Sequence, residues 1–187
     1  MINYGLPKAV EINGTEYDIR SDYRAILDIV EALNDVNLNA REKAYVVLEI
    51  FYPDIDDMPY DDMQKAIEKC FEFIDGGNRR KEGNAPKVVD WSKDFPLIIA
   101  PINAVAGREI RADEYCHWWT FLAYYNEISG DCTFAQVVRI RDKDARGKSL
   151  DKDEREWKMR NLELVEMPSQ YTDEEEEILK MWGGMNG

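Results

Sequence analysis

The sequence predicts a mainly α-helical fold, a helical bundle-like body with an N-terminal β-hairpin. Two observations carry this. Apolar and polar residues alternate clearly only on either side of Asn13-Gly14, and from Ser21 onward apolar residues recur at the i, i+3, i+4, i+7 spacing of a buried helix face. Strands are therefore confined to residues 8–19. There Val10-Glu11-Ile12 and Thr15-Glu16-Tyr17-Asp18-Ile19 flank an Asn-Gly pair that favours a two-residue type I′ turn. A two-stranded hairpin is marginal in water, so its Val10/Ile12 face is expected to pack on helices.

The helices follow in order. Tyr23, Ile26, Leu27, Val30 and Leu33 form the first stripe, with Ser21 placed to cap it. Asn39 and Glu42 have capping-box spacing ahead of Ala40, Ala44, Val47, Leu48 and Phe51. A third stripe reads Met63, Ala66, Ile67, Cys70, Phe71 and Ile74, against a polar face of Gln64, Lys65, Glu68, Lys69 and Glu72. Residues 76–89 are polar, glycine-rich and locally basic, which suits a linker or a long loop. Phe95, Ile98, Ile99, Ile102 and Val105 then form a helix that Pro96 suits as a start, Pro101 should kink and Gly107 should stop. Tyr115 to Ile128 is apolar on nearly every side, as a central helix would be. Thr133 and Gln136 suit a capping box for the helix carrying Phe134, Val137, Val138 and Ile140. Lys148 to Leu164 is a charged helix with an Asp151/Glu154 start, and Thr172/Glu175 open a last one ending at Trp182-Gly183-Gly184. Residues 1–75 and 90–168 thus read as two helical halves around 76–89, with a tail at 169–187. One domain fits the same pattern.

Charge and composition exclude several functions. With 24 Lys+Arg against 38 Asp+Glu, the net charge is −14, which repels a nucleic-acid backbone and an anionic membrane surface. No apolar run reaches the roughly 20 residues of a membrane span. The first residues show no secretory pattern, and three unrelated cysteines, Cys70, Cys116 and Cys132, read as reduced thiols, so a cytoplasmic setting is expected. The single histidine, His117, follows Cys116 directly, and helical neighbours point about 100° apart, which does not make a nucleophile–base pair. Zinc-ligand spacings and a phosphate loop are absent. The aspartates at 54, 56, 57, 61 and 62 fail the calcium-loop pattern, with Pro59 at the glycine position and Lys65 at the glutamate position, and so read as a solvated acidic helix start. The expectation is a non-enzyme without cofactor or metal.

The candidate contacts are partner-binding ones. Trp118 and Trp119 splay to adjacent directions, so one can anchor the core while the other lines a groove for a partner helix. Ile178, Leu179, Met181 and Trp182 make the tail amphipathic, able to dock on the body, on a partner or on a second copy in a homo-oligomer. The basic run Arg139, Arg141, Lys143, Arg146 and Lys148 alternates with Asp142, Asp144, Asp151 and Asp153 and reads as a salt-bridged helix junction.

Asp90-Trp91-Ser92-Lys93-Asp94-Phe95-Pro96, Tyr115-Cys116-His117-Trp118-Trp119-Thr120-Phe121-Leu122 and Phe134-Ala135-Gln136-Val137-Val138-Arg139-Ile140-Arg141, followed by the charged helix, occur in that order. Together they resemble the gene-product-fifteen family of siphophages and prophages of Gram-positive hosts over about residues 1–168. The resemblance implies a tail assembly chaperone that coats the helical tape measure protein until tail-tube subunits polymerise around it. It carries no catalytic motif, and it makes the His-Trp-Trp residues a structural signature rather than a binding site. An acidic nucleic-acid mimic directed at a host defence or DNA-binding protein is the alternative that the charge suggests.

Overall fold

A computed structural model describes residues 5–77 and 86–168. Its hairpin pairs β1 (Ala9–Ile12) with β2 (Thr15–Asp18), antiparallel and in the register Ile12 to Thr15 and Ala9 to Asp18. Asn13 at φ 50° and Gly14 at φ 85° give the turn its two left-handed residues. Ile12 is buried, as the alternation requires.

α1 (Tyr23–Asn34) and α2 (Ala40–Phe51) pack together across the short 35–39 connection. Asn39 and Glu42 make a reciprocal capping box on α2. Ser21 does not cap α1; Asp22 does, its carboxylate accepting from Arg24 N at 2.9 Å and from Cys116 N at 2.8 Å. The displacement has a tertiary cause. The backbone at 21–23 pairs with that at 116–118, through Tyr23 N to Cys116 O (2.9 Å) and Trp118 N to Ser21 O (2.8 Å). Ser21 is buried there, its hydroxyl 2.7 Å from Tyr115 Oη.

α3 (Tyr60–Ile74) buries Asp62, Ala66, Cys70 and Phe73, whereas Phe71 is 42% exposed. Ala66 and Cys70 of the expected stripe are thus at its centre, Met63, Ile67 and Ile74 lie half-buried at its edges, and Phe71 gives its place to Phe73, which meets the rings of Phe51, His117 and Trp119. Asp62 is not a solvated helix-start residue: it accepts from Asn13 Nδ2 at 2.7 Å and Tyr17 Oη at 2.9 Å, tying the hairpin to α3.

α4 (Trp91–Ala106) starts earlier than Pro96, at an Asp90 cap that accepts from Lys93 N, so both prolines lie inside it. Each leaves one carbonyl of the preceding turn without its usual N–H. Gly107, at φ 69°, ends it as expected. α5 is only Trp118–Asn126, with His117 as its N-cap rather than in its interior. It is less enclosed than expected, since Ala123 and Asn126 are exposed while Trp118 and Phe121 are buried. α6 (Thr133–Ala145) is capped by Cys132, whose Sγ accepts from Ala135 N, and not by Thr133. The charged helix is two elements, α7 (Lys152–Arg160) behind its Asp151/Glu154 box and α8 (Leu162–Val165), separated at Asn161.

One apolar core joins residues from the hairpin through α6, including Ile12, Tyr23, Ile26, Phe51, Phe73, Ile98, Ile102, Trp118, Phe121 and Phe134. At its centre Phe121 stacks between Tyr23 (4.6 Å) and Trp118 (5.6 Å).

Candidate functional site: an aromatic node and its grooves

The two tryptophans divide between core and groove as their adjacency suggests, and they share a further task. Both indole N–H groups close the C-terminal end of α3, Trp118 Nε1 donating to Ile74 O (2.8 Å) and Trp119 Nε1 to Phe73 O (2.9 Å). The last carbonyls of a helix have no internal donor, so the pair acts as a side-chain cap delivered from α5. Trp118 is 2% exposed and belongs to the core. Trp119 is half-buried and borders a shallow groove of about 290 Å³ with Pro7, Val10, Phe73 and Gly77. Gly77 sits at φ 78°, and a Cβ there would lie 3.3 Å from the Trp119 ring.

His117 orients this node. Its Nδ1 accepts from Trp119 N at 3.0 Å, so the proton resides on Nε2, which lies 2.9 Å from Pro7 O and donates to it. Burial holds its pKa below the ordinary histidine value. Both ring nitrogens are thereby occupied by backbone. The Cys116 thiol is pushed up by burial and by Asp22, and burial takes Cys70 to about 12, which keeps both protonated near neutral pH. Among the described residues no group of three or more His, Cys, Asp or Glu side chains could hold a metal ion. No helix there is long and apolar enough to cross a membrane.

Part of the basic run resolves into ion pairs, two between α6 and α7 and one within α6 itself. Lys143 meets Glu154 at 2.6 Å, Arg146 meets Asp142 at 2.6 Å and Lys158 meets Asp144 at 2.6 Å. Arg141 instead finds Asp94 of α4 in the interior, at 2.7 and 3.0 Å, and also donates to Leu164 O, Val165 O and Val88 O.

Besides a groove of about 710 Å³ along Leu97, Pro101 and Thr133, two solvent-open grooves larger than that at Trp119 are lined by exposed or half-buried aromatic and aliphatic side chains. One, of about 620 Å³, runs between α1 and α4 over Tyr23, Leu27, Trp91 and Phe95. The other, of about 500 Å³, lies between α2 and α3, where Tyr45 and Tyr60 are 55% and 84% exposed beside Met63 and Ile67. The signal for the second was present in the sequence, because α3 carries more apolar residues than one buried face can use. Ile178, Leu179, Met181 and Trp182 lie outside the described residues.

A helical scaffold with a capped aromatic node and open apolar grooves is the class these features define. The chain belongs to the family described as Bacteriophage Gp15 protein, whose model matches residues 2–166. That membership gives it a phage structural or assembly-related role. No curated protein and no solved structure gives a match.

Proposed function

We propose that this chain is a non-enzymatic tail assembly chaperone, acting in the host cytoplasm, that holds the tape measure protein during tail morphogenesis. The family match over residues 2–166 carries the reading. The open apolar grooves suit it, because a holdase must offer apolar surface to an aggregation-prone helix while remaining soluble itself. A net charge of −14 provides that solubility. The interleaving of carboxylates with cations at Glu154, Asp142 and Asp144 favours this reading over a nucleic-acid mimic, which needs an unpaired negative stripe. Co-expression is the test. The tape measure protein should co-purify with this chain and sediment as aggregate without it. A tape measure that stays soluble alone removes the reading.

A further inference from the structure

We propose that the α1–α4 groove takes an amphipathic helix whose apolar stripe is flanked by Lys or Arg. The inference rests on the chaperone reading and specifies the partner segment. Leu27 on α1 and Trp91 and Phe95 on α4 line the floor, half-buried and open to solvent beside the buried Tyr23. Leu27 belongs to the stripe of α1, but no described element covers its outer side.

Charge along the rim selects the occupant. Arg24 is paired with Asp22 at 3.2 Å and Arg111 with Glu109 at 2.8 Å, so neither leaves net positive charge at the groove. Asp28 and Glu31 line it on the α1 side, both are exposed, and neither makes an ion pair with a described residue. They stand one helical turn apart with Leu27 beside them. A docked helix presenting its apolar stripe to Leu27, Trp91 and Phe95 therefore meets two carboxylates along one flank. A second copy brings its own −14, and the 169–187 tail brings Asp173 and Glu174 to Glu177; both are repelled by this rim. The α2–α3 groove offers no such direction, because Arg41 and Asp61 on its rim have opposite signs.

The test uses the full chain and a fluorescent synthetic helix with leucines at heptad spacing and lysines on both flanks, compared with a twin carrying glutamates instead. Anisotropy should show the lysine peptide binding about ten-fold more tightly at low salt. The double variant Asp28→Lys/Glu31→Lys should reverse that preference, and Ser92→Trp, which fills the groove from its exposed edge, should weaken both peptides. Equal binding of the twins, or variants that change nothing, overturns the proposal. So does displacement of the probe by a peptide of residues 169–187, or a concentration-dependent dimer that Ser92→Trp abolishes. Tape measure solubility is read separately. If the peptide results hold while this chain leaves the tape measure aggregated, the chaperone reading falls and the groove assignment stands.

Discussion

Replacing Arg141 by Met should be among the most damaging single changes available in this protein. The Arg141 and Asp94 side chains are 3% and 1% exposed, and their guanidinium–carboxylate contact is bidentate. The same guanidinium holds the carbonyls of Leu164 and Val165 on α8 and of Val88 before α4. Methionine fills much of the volume but strands a buried carboxylate, whose one remaining donor among the described residues is Asp90 N at 2.9 Å. Breaking a buried pair from one side costs about 3–5 kcal/mol. For a protein of this size each kcal/mol lowers Tm by about 2–4 °C, so the melting point should fall by about 6–20 °C. Urea unfolding followed by far-ultraviolet circular dichroism measures the cost. Adding Asp94→Leu should restore part of the loss, because the uncompensated charge is gone while the three carbonyls still lack their donor. Amide exchange at Val165 and Glu166, whose N–H groups donate to the carbonyls of Asn161 and Leu162, should quicken in the single variant as α8 loses its anchor. A loss below about 1 kcal/mol, or a double variant worse than the single, refutes the reasoning.

Two further outcomes follow from the aromatic node. Trp118→Phe takes from the Ile74 carbonyl its one donor among the described residues, beside a fully buried ring, and should cost about 1–3 kcal/mol in urea unfolding, whereas Trp119→Phe, at a half-buried site, leaves the Phe73 carbonyl its bond from Gly76 N at 3.0 Å and should cost about 1 kcal/mol or less; equal costs would contradict the division between them. Because His117 is held neutral with a depressed pKa, the unfolded chain binds its proton first. The stability that the neutral ring provides is complete above the ordinary value of 6.5 and is lost as pH falls through the folded pKa. Between about pH 7.5 and about pH 5 the urea midpoint of the native chain should therefore fall further than that of His117→Asn, which keeps a side-chain acceptor for Trp119 N but does not titrate. Parallel pH profiles would exclude His117 as the source.

The features legible in the sequence are those decided within a few residues. Asn13-Gly14 fixes its turn through φ alone, and the Asn39/Glu42 and Asp151/Glu154 boxes close over one turn. The start of α1 was not legible for the opposite reason. Ser21 and Asp22 are both good caps, and the choice between them is made by Cys116, 94 residues away. The face of α3 was likewise decided from outside, by Asp62 binding the hairpin at one end and the two indoles gripping the other. Arg141 looked like one member of an alternating charge run because Asp94 lies 47 residues earlier. Asp94, His117, Trp118 and Arg141, which make these long-range contacts, all lie in the runs that carry the family resemblance.

This division also changes what the acidity of the chain means. Charge counted along the sequence treats every carboxylate as solvated surface, yet the fold sorts them into kinds with different consequences. Asp94 and Asp62 are internal struts whose charge never reaches a partner. Glu154, Asp142 and Asp144 are cancelled by lysine and arginine at the α6–α7 junction. Asp28 and Glu31 belong to neither kind: they are exposed, unpaired with any described residue, and set against apolar floor. A carboxylate in water lowers aggregation whatever surrounds it, but one beside an apolar groove also discriminates among helices that could enter. Solubility and selectivity then come from the same charge, and only the second depends on where α1 places it.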